Sequence, residues 1–282
     1  MSANGHGGAP AGGATLARAL QFGDSVFPVG GFAFSGGLES AIQKRVVTDA
    51  ATLRAFARTA VEQAAMGDGI ALIRAHEAAA AGDLDELVRI DGLVHARKLS
   101  AETRTMAVRM GKKFAEMSAQ VIGAPLLHAW LERIADGRTP GCYVVSLAAN
   151  FAVQGLSARD AFVVHQYGVA SMILSAALRL MKISHVDTQR ILYQLDTGAD
   201  AAHEAAAAAS LDDMSGFAPL IEILAAVLGS PFGPGSRTWQ LAHLPLPLNR
   251  FSPSFSCLVS FTTPARKASY LEEYWFTSDE PS

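Results

Sequence analysis

The residue types that could do metal chemistry in this chain occur singly, at spacings that common metal sites do not use. His76-Glu77 and His203-Glu204 begin like the zinc-protease motif H-E-x-x-H, but an alanine stands at the second histidine position in both. The eight histidines form no other pair at metal-ligand spacing, and a single histidine is more often a surface or core residue than a ligand. The sequence therefore predicts no metal site.

The glycine and serine residues fit neither a nucleotide-binding loop nor a nucleophile. No G-x-x-x-x-G-K-S/T motif is present, and Gly111-Lys112-Lys113 lacks both the leading glycine and the hydroxyl residue. No G-x-S-x-G motif occurs, and Ser35 follows no predicted strand. We therefore predict no catalytic residue, no cofactor and no enzymatic activity.

One segment, residues 24–39, combines turn-forming and apolar residues in an unusual way. Pro28 and four glycines stand among three phenylalanines. This composition is too rich in turn residues for a helix interior and too apolar for a free loop. Its residues alone predict a tight corner between helices whose aromatic rings pack into the core.

The elements that must position these residues are helices, because apolar residues recur at spacings of three and four from residue 16 to residue 227. Asp49, Ser157 and Ser184 are predicted N-caps, and another helix is expected to begin near Asp83. In the helix after Asp83, the charged residues Asp85, Glu86, Arg89 and Asp91 are expected mostly to face outward. One helix is predicted to start after Asp49. The other predicted helices are 83–98, 101–122, 143–153 (a buried central helix), 157–181, 186–195, 199–209 and 215–227.

We accordingly predict an all-α fold, a single-domain bundle of roughly ten helices with an irregular C-terminal tail. Residues 1–14 are rich in Gly and Ala and indicate a flexible lead-in, 15–228 form the helical domain, and 229–282 form an atypical tail in which Gly, Pro, Phe and Trp replace the helical pattern. Half of the residues are hydrophobic, enough for a sizeable core.

Charge and cysteine content exclude several classes of function. The net charge is −3 and the basic residues are scattered, which argues against nucleic acid as a partner. The two cysteines, Cys142 and Cys257, match no zinc or redox spacing and indicate a reducing compartment. The apolar stretch 167–178 is too short to span a bilayer, and the N-terminus lacks the features of a secretory signal. We expect a cytoplasmic protein without a membrane span.

Residues 20–39, LQFGDSVFPVGGFAFSGGLE, resemble the N-terminal signature of the UreF family of urease accessory proteins, which is roughly L-x-L-x-D-x-x-x-P-x-G-x-F-x-x-S-x-G-L-E. Later segments are similar to further family motifs in family order, and the resemblance covers residues 16–227. Ser184 stands where many members have glycine, and its capping role explains the change. The similar segments are 104–114 (RTMAVRMGKKF), 140–156, 176–192 and 212–227.

The resemblance implies an all-α chaperone of urease maturation that forms homodimers and joins UreD (also called UreH) to the GTPase UreG. The complex would then insert nickel into apo-urease with GTP hydrolysis. Among the motif residues, Pro28 and the glycines are expected to shape the corner, whereas charged residues are better candidates for partner contacts because they are seldom buried unpaired. The motif residues are Pro28, Gly30, Phe34, Ser35, Gly37, Leu38, Glu39, Arg179, Gln189 and Arg190.

Two alternatives remain at this point. One is an all-α small-molecule-binding or hydrolytic enzyme of the di-metal bundle kind, which needs Glu-x-x-His motifs that the sequence lacks. The other is a UreF relative impaired by its C-terminus: family members usually end on a short H-E-x-x-x-x-R-L-F-x-S tail, whereas the residues from 228 onward are different and longer.

Overall fold

The structure is a computed structural model that describes residues 13–24, 27–31, 34–215 and 224. In this part of the chain the regular structure is helical throughout and no strand occurs, which confirms the all-α prediction. Most of the predicted lead-in, all of the tail 229–282 and most of the predicted helix 215–227 lie outside the described residues. The α-helices are α1 (Gly13–Gly23), α2 (Leu38–Gln43), α3 (Ala50–Ala64), α4 (Ile70–Ala81), α5 (Leu84–Arg97), α6 (Ala101–Ile122), α7 (Pro125–Ala135), α8 (Tyr143–Val153), α9 (Ala158–Leu180), α10 (His185–Asp196) and α11 (Ala199–Ala208).

Short polar side chains begin several helices where the sequence predicts them. The Asp49 carboxylate accepts a hydrogen bond from the Thr52 amide at 2.8 Å, and the Ser157 and Ser184 hydroxyls accept from amides three residues later at 3.0 Å. Pro125 both follows the end of α6 and supplies the first residue of α7, because its fixed φ suits the first helical turn. The sequence analysis did not separate α4 or α7 as helices of their own.

The first of two hydrophobic clusters is built around α8. Residues 144–151 of this helix are all buried, as predicted for the central helix. The surrounding side chains come from α1, α4, α5, α6, α7, α11 and the N-terminal part of α9. The absence of a side chain at Gly111 lets α6 approach the start of α8 closely. A Cβ at this position would lie 2.1 Å from the Gly141 carbonyl oxygen and 2.4 Å from the Cys142 carbonyl carbon. The glycine of the R-M-G motif therefore serves packing between α6 and the start of α8.

Asp91 corrects the prediction that the charged residues of α5 face outward. Its carboxylate is fully buried and accepts hydrogen bonds from the Thr139 hydroxyl and the Gly141 amide at 2.6 Å and from the Cys142 amide at 2.7 Å. Asp91 therefore organises the turn between α7 and α8, where Gly141 has a φ of 80°.

The second hydrophobic cluster is formed by α2, α3, α10 and the C-terminal part of α9, and Leu224 also contributes to it. Helix α9 runs through both clusters. The apolar stretch 167–178 was expected to be too short for a membrane span, but α9 as a whole is long and apolar enough by length and composition alone. Half of its most apolar 18-residue stretch is buried inside the protein. Side chains from both clusters cover it, so we assign α9 to the core.

Helices α3 and α4 follow each other through a single π-helical turn, Ala65–Gly69, with no loop between them. Gly69 of this turn lies against Phe162 of α9, since a Cβ at Gly69 would be 2.5 Å from the ring. The π turn thus marks the place where the chain passes from the second cluster to the first.

Candidate functional site

The corner between α1 and α2 connects the two hydrophobic clusters. Phe27 packs its ring on Phe22 and Phe114, with centroid distances of 5.2 and 5.3 Å, and so anchors the corner in the first cluster. Pro28 and Gly30 beside it are exposed, and Gly30 has a φ of 80°, a conformation that favours glycine. The geometry matches a packed corner with an exposed tip.

The second half of the corner leads into α2. Gly37 is buried with a φ of 86°, and Leu38 is fully buried in the second cluster. The Ser35 hydroxyl accepts a hydrogen bond from the Glu39 backbone amide at 3.5 Å. Phe34 is half-buried. Glu39 is half-exposed and accepts a 3.5 Å hydrogen bond from the Gln43 side chain. Phe34, Ser35 and Glu39 are thus all partly exposed, and Glu39 is the charged residue among them.

The remaining predicted site residues lie at the surface of α9 and α10. Arg179 is exposed in the last turn of α9. Gln189 and Arg190 are exposed on α10, and the Arg190 guanidinium is 3.2 Å from the Asp187 carboxylate. Because α2, the end of α9 and α10 all pack on the second cluster, the structure places these three helices around one core.

Two apolar residues that the sequence analysis did not select extend this surface on α10. Val186 is 65% exposed and Tyr193 is 77% exposed. With Gln189 and Arg190 they occupy positions at spacings of three and four, so the four side chains share one face, which we call the α10 stripe. The opposite face of α10 buries Thr188, Ile191 and Leu192. The helical spacing was visible in the sequence, but only the fold shows which face is covered.

A polar layer lies between the two clusters. Lys98, which follows α5, places its ammonium 2.6 Å from both carboxylate oxygens of Asp68 in the π turn. Their side chains are 16% and 24% exposed, respectively. His165 and Gln166 of α9 are buried, and the Gln166 amide nitrogen is 3.5 Å from His165 Nδ1. Burial alone would raise the pKa of Asp68, but Lys98 and His165 outweigh it, so the pKa lies below its ordinary value.

The polar layer makes stability depend on pH through His165. Burial lowers the pKa of His165, Lys98 acts in the same direction, and Asp68 opposes them. The unfolded chain takes up this proton near pH 6.5, whereas the folded chain does so only at lower pH. The contribution to stability is therefore complete above about pH 6.5 and is lost as the pH falls toward the folded-state value.

We expect His165→Gln to flatten the decline of the free energy of unfolding as the pH falls below about 6.5, as measured by urea denaturation at a series of pH values. The pKa of His203 is also lowered by burial, so part of the slope should remain. His128→Gln, at an exposed position on α7, is the matched control and should keep the wild-type slope. An unchanged slope in His165→Gln would contradict the assignment.

The other groups that attracted attention in the sequence have structural contacts. His76 is buried and its Nε2 pairs with the Leu156 carbonyl at 2.8 Å, while His203 packs on Phe162 at 5.4 Å. Burial is the main cause that raises the pKa of the Cys142 thiol far above its usual value, and the negative charge of the nearby Asp91 adds to it. The thiol therefore stays protonated. Among the described residues no group of three or more His, Cys, Asp or Glu could hold a metal ion.

Comparison with known proteins agrees with this arrangement. Residues 47–196 match the UreF family model. Over 212 residues the chain is 50% identical to the urease accessory proteins UreF of Yersinia enterocolitica, Yersinia pseudotuberculosis and Yersinia pestis, an alignment that spans 75% of this chain and 93% of each relative. The family-model match covers α3 to α10, which supply most of the residues of both hydrophobic clusters. The chain therefore belongs to the UreF family of urease accessory proteins.

Proposed function

We propose that this chain is a homodimeric cytoplasmic scaffold of urease maturation, which joins UreD to the GTPase UreG so that nickel is inserted into apo-urease with GTP hydrolysis. The protein contributes binding surfaces and no catalytic step of its own. The observation that carries the proposal is the α10 stripe, an exposed surface on an otherwise well-packed helix of a UreF-family protein. Nucleic acid and membranes are not among the proposed partners.

The composition of the α10 stripe fits a protein interface. Tyr and Arg are enriched in interface cores, and Tyr193 supplies a large, stiff ring next to the guanidinium of Arg190. Val186 adds apolar area at the other end of the stripe. Val186 and Tyr193 lie on the same face of α10, so a partner that covers the stripe would bury both together.

A second copy of this chain is the proposed occupant of the α10 stripe. The stripe carries Arg190, and Asp187 lies one turn away on the same side, so the surface presents both signs of charge. In a twofold contact with antiparallel α10 helices, Arg190 of each copy meets Asp187 of the other. The surface is thus complementary to itself, as a closed dimer requires. Glu39 and Arg179, on neighbouring helices around the second cluster, are the proposed contacts to UreD or UreG.

The experiment is co-expression of the tagged chain with UreD, UreG and apo-urease from the same source. We expect wild type to retain UreD and UreG on the affinity resin and to activate urease. Tyr193→Glu should sediment as a monomer at micromolar concentration and activate urease at least tenfold less, because it buries a charge in the dimer contact, while its melting temperature stays within a few degrees.

Val121→Glu is the matched control, since Val121 is 57% exposed on α6, away from α10. It should remain dimeric and active. A wild-type chain that retains neither UreD nor UreG would overturn the scaffold proposal, whereas a dimeric Tyr193→Glu would overturn only the α10 contact. A variant ending at residue 227 in the same assay addresses the hypothesis of an impaired C-terminus, which concerns residues outside the described part of the chain.

A further inference from the structure

The short connection between α2 and α3 contains an arginine in a backbone conformation that favours glycine. Arg45 has a φ of 58°, in the left-handed region. An L-residue reaches this region at a cost in stability, because its Cβ crowds the backbone, whereas glycine adopts it freely. The other described residues with a positive φ are all glycines: Gly30, Gly36, Gly37, Gly82, Gly123, Gly137, Gly141 and Gly155. Arg45 is therefore the exception in the described part of the chain.

The turn at the end of α2 explains this conformation but not the arginine. The chain reverses at position 45, and the Val46 amide donates a hydrogen bond back to the Ala41 carbonyl at 2.8 Å. Helices α4 and α6 also end on a left-handed residue, and there it is Gly82 or Gly123. Glycine at position 45 would satisfy the backbone at lower cost. The fold of the chain therefore does not account for the Arg45 side chain.

The charge of Arg45 is not neutralised within the described part of the chain. Arg45 and Lys44 are both exposed, and neither side chain forms an ion pair with another described residue. The nearest carboxylates in the sequence, Glu39 and Asp49, accept hydrogen bonds within α2 and at the start of α3. A cation gains some energy at the C-terminal end of a helix, but α2 has only six residues and Lys44 already stands at its end.

Lys44, Arg45 and Val46 form an exposed surface, which we call the 44–46 loop. Val46 is 42% exposed, and the next residue, Val47, is 1% exposed and anchors the loop in the second cluster. Two cations beside an apolar side chain are complementary to a protein surface that offers carboxylates around an apolar contact. A guanidinium binds a carboxylate through two parallel hydrogen bonds, which an ammonium cannot form, and arginine is enriched at protein interfaces.

We infer that the 44–46 loop docks an acidic surface of another protein of urease maturation, and that Arg45 occupies its strained position because its guanidinium pairs with a carboxylate of that partner. Backbone strain of this kind persists where a side chain has a functional contact. The inference rests on the proposed function, which supplies UreD, UreG and apo-urease as the proteins to test. It adds a contact made by residues other than those of the α10 stripe.

Arg45→Gly tests the inference, because it relieves the backbone and removes the charge in one substitution. The full chain and the variant are each titrated onto immobilised UreD, UreG and apo-urease from the same source. We expect wild type to bind one of the three at least fivefold more tightly than Arg45→Gly at about 0.1 M salt, and the difference to shrink at about 1 M salt, which screens exposed charges. The melting temperature of Arg45→Gly should be no lower than that of wild type, since relief of strain offsets the greater freedom of glycine in the unfolded chain.

Lys112→Ala is the matched control, since Lys112 is exposed on α6 and also lacks an ion pair among the described residues. It should bind all three proteins as wild type does, and an equal loss in both variants would mean that only net charge matters. Unchanged binding by Arg45→Gly, or a lower melting temperature, would overturn the docking role of the 44–46 loop and leave the scaffold proposal intact. Wild type that binds none of the three proteins would overturn both. Loss of the dimer in sedimentation of Arg45→Gly would identify a second copy as the occupant and overturn the inference.

Discussion

Gly111→Ala is expected to lower the free energy of unfolding by about 3 kcal/mol, one of the two largest effects predicted for this chain. The added methyl group would stand 2.1 Å from the Gly141 carbonyl oxygen and 2.4 Å from the Tyr143 amide nitrogen. These are backbone atoms at the start of the central helix, so they cannot rotate away as a side chain could. Helix α6 must therefore move off α8, and the contact between them is lost. Chemical denaturation with a two-state fit measures the change.

The matched control is Gly92→Ala on α5. Glycine 92 is exposed inside a helix, and a Cβ there has no neighbour within 4 Å. This substitution should raise stability by about 0.5–1 kcal/mol, because alanine loses less backbone entropy than glycine on forming a helix. If both variants changed the free energy of unfolding by the same amount and in the same direction, the close approach at Gly111 would not be the cause of the effect.

Asp91→Ala is expected to cost about 3–5 kcal/mol, since it leaves the donors of a buried turn without an acceptor. The Thr139 hydroxyl and the amides of Gly141 and Cys142 all donate to this one carboxylate. Without it, three polar groups remain buried and unpaired, and the α7–α8 turn loses its organising contact. We expect a lower melting temperature and faster amide hydrogen exchange at residues 139–142.

Asp85→Ala, on the same helix, provides the comparison. Its carboxylate is 91% exposed and lies 3.7 Å from the Arg133 guanidinium, a surface pair of small energetic value. Stability should change by less than about 0.5 kcal/mol. A loss at Asp85 as large as that at Asp91 would mean that negative charge on α5, and not the buried contact, is what matters.

Most helix boundaries were predictable because their causes are local. The hydrogen bonds at Asp49, Ser157 and Ser184 join residues three apart, so the pattern is complete within one short stretch of sequence. The buried state of α8 was predictable for a similar reason, because its residues offer almost no polar face. The π turn was not predicted, since glycines within an apolar helical pattern give no sign of an added residue per turn.

The misassigned and missed residues depend on contacts between distant parts of the chain. Asp91 lies four residues after Leu87 and three before Val94, and therefore on the buried face of α5. A charged residue at that position was read as outward because its partners, near residue 140, are about fifty residues away in the sequence. For the candidate site, the charged motif residues were found at the surface, but Val186 and Tyr193 could be recognised only once the opposite face of α10 was seen to be covered.

The packing of α4 against α8 also bears on how the chain is made. Helix α4 buries side chains on nearly its whole circumference, and its most extensive contact is with α8. That partner is complete only about seventy residues later, which at about 5–20 residues per second corresponds to roughly 4–14 s of translation. Helix α5 and the π turn, which also pack on α4, are made much earlier, but throughout this interval the part of α4 that packs on α8 lacks its final neighbour. The nascent protein thus carries a partly uncovered apolar helix for seconds, long enough for cellular chaperones to encounter it.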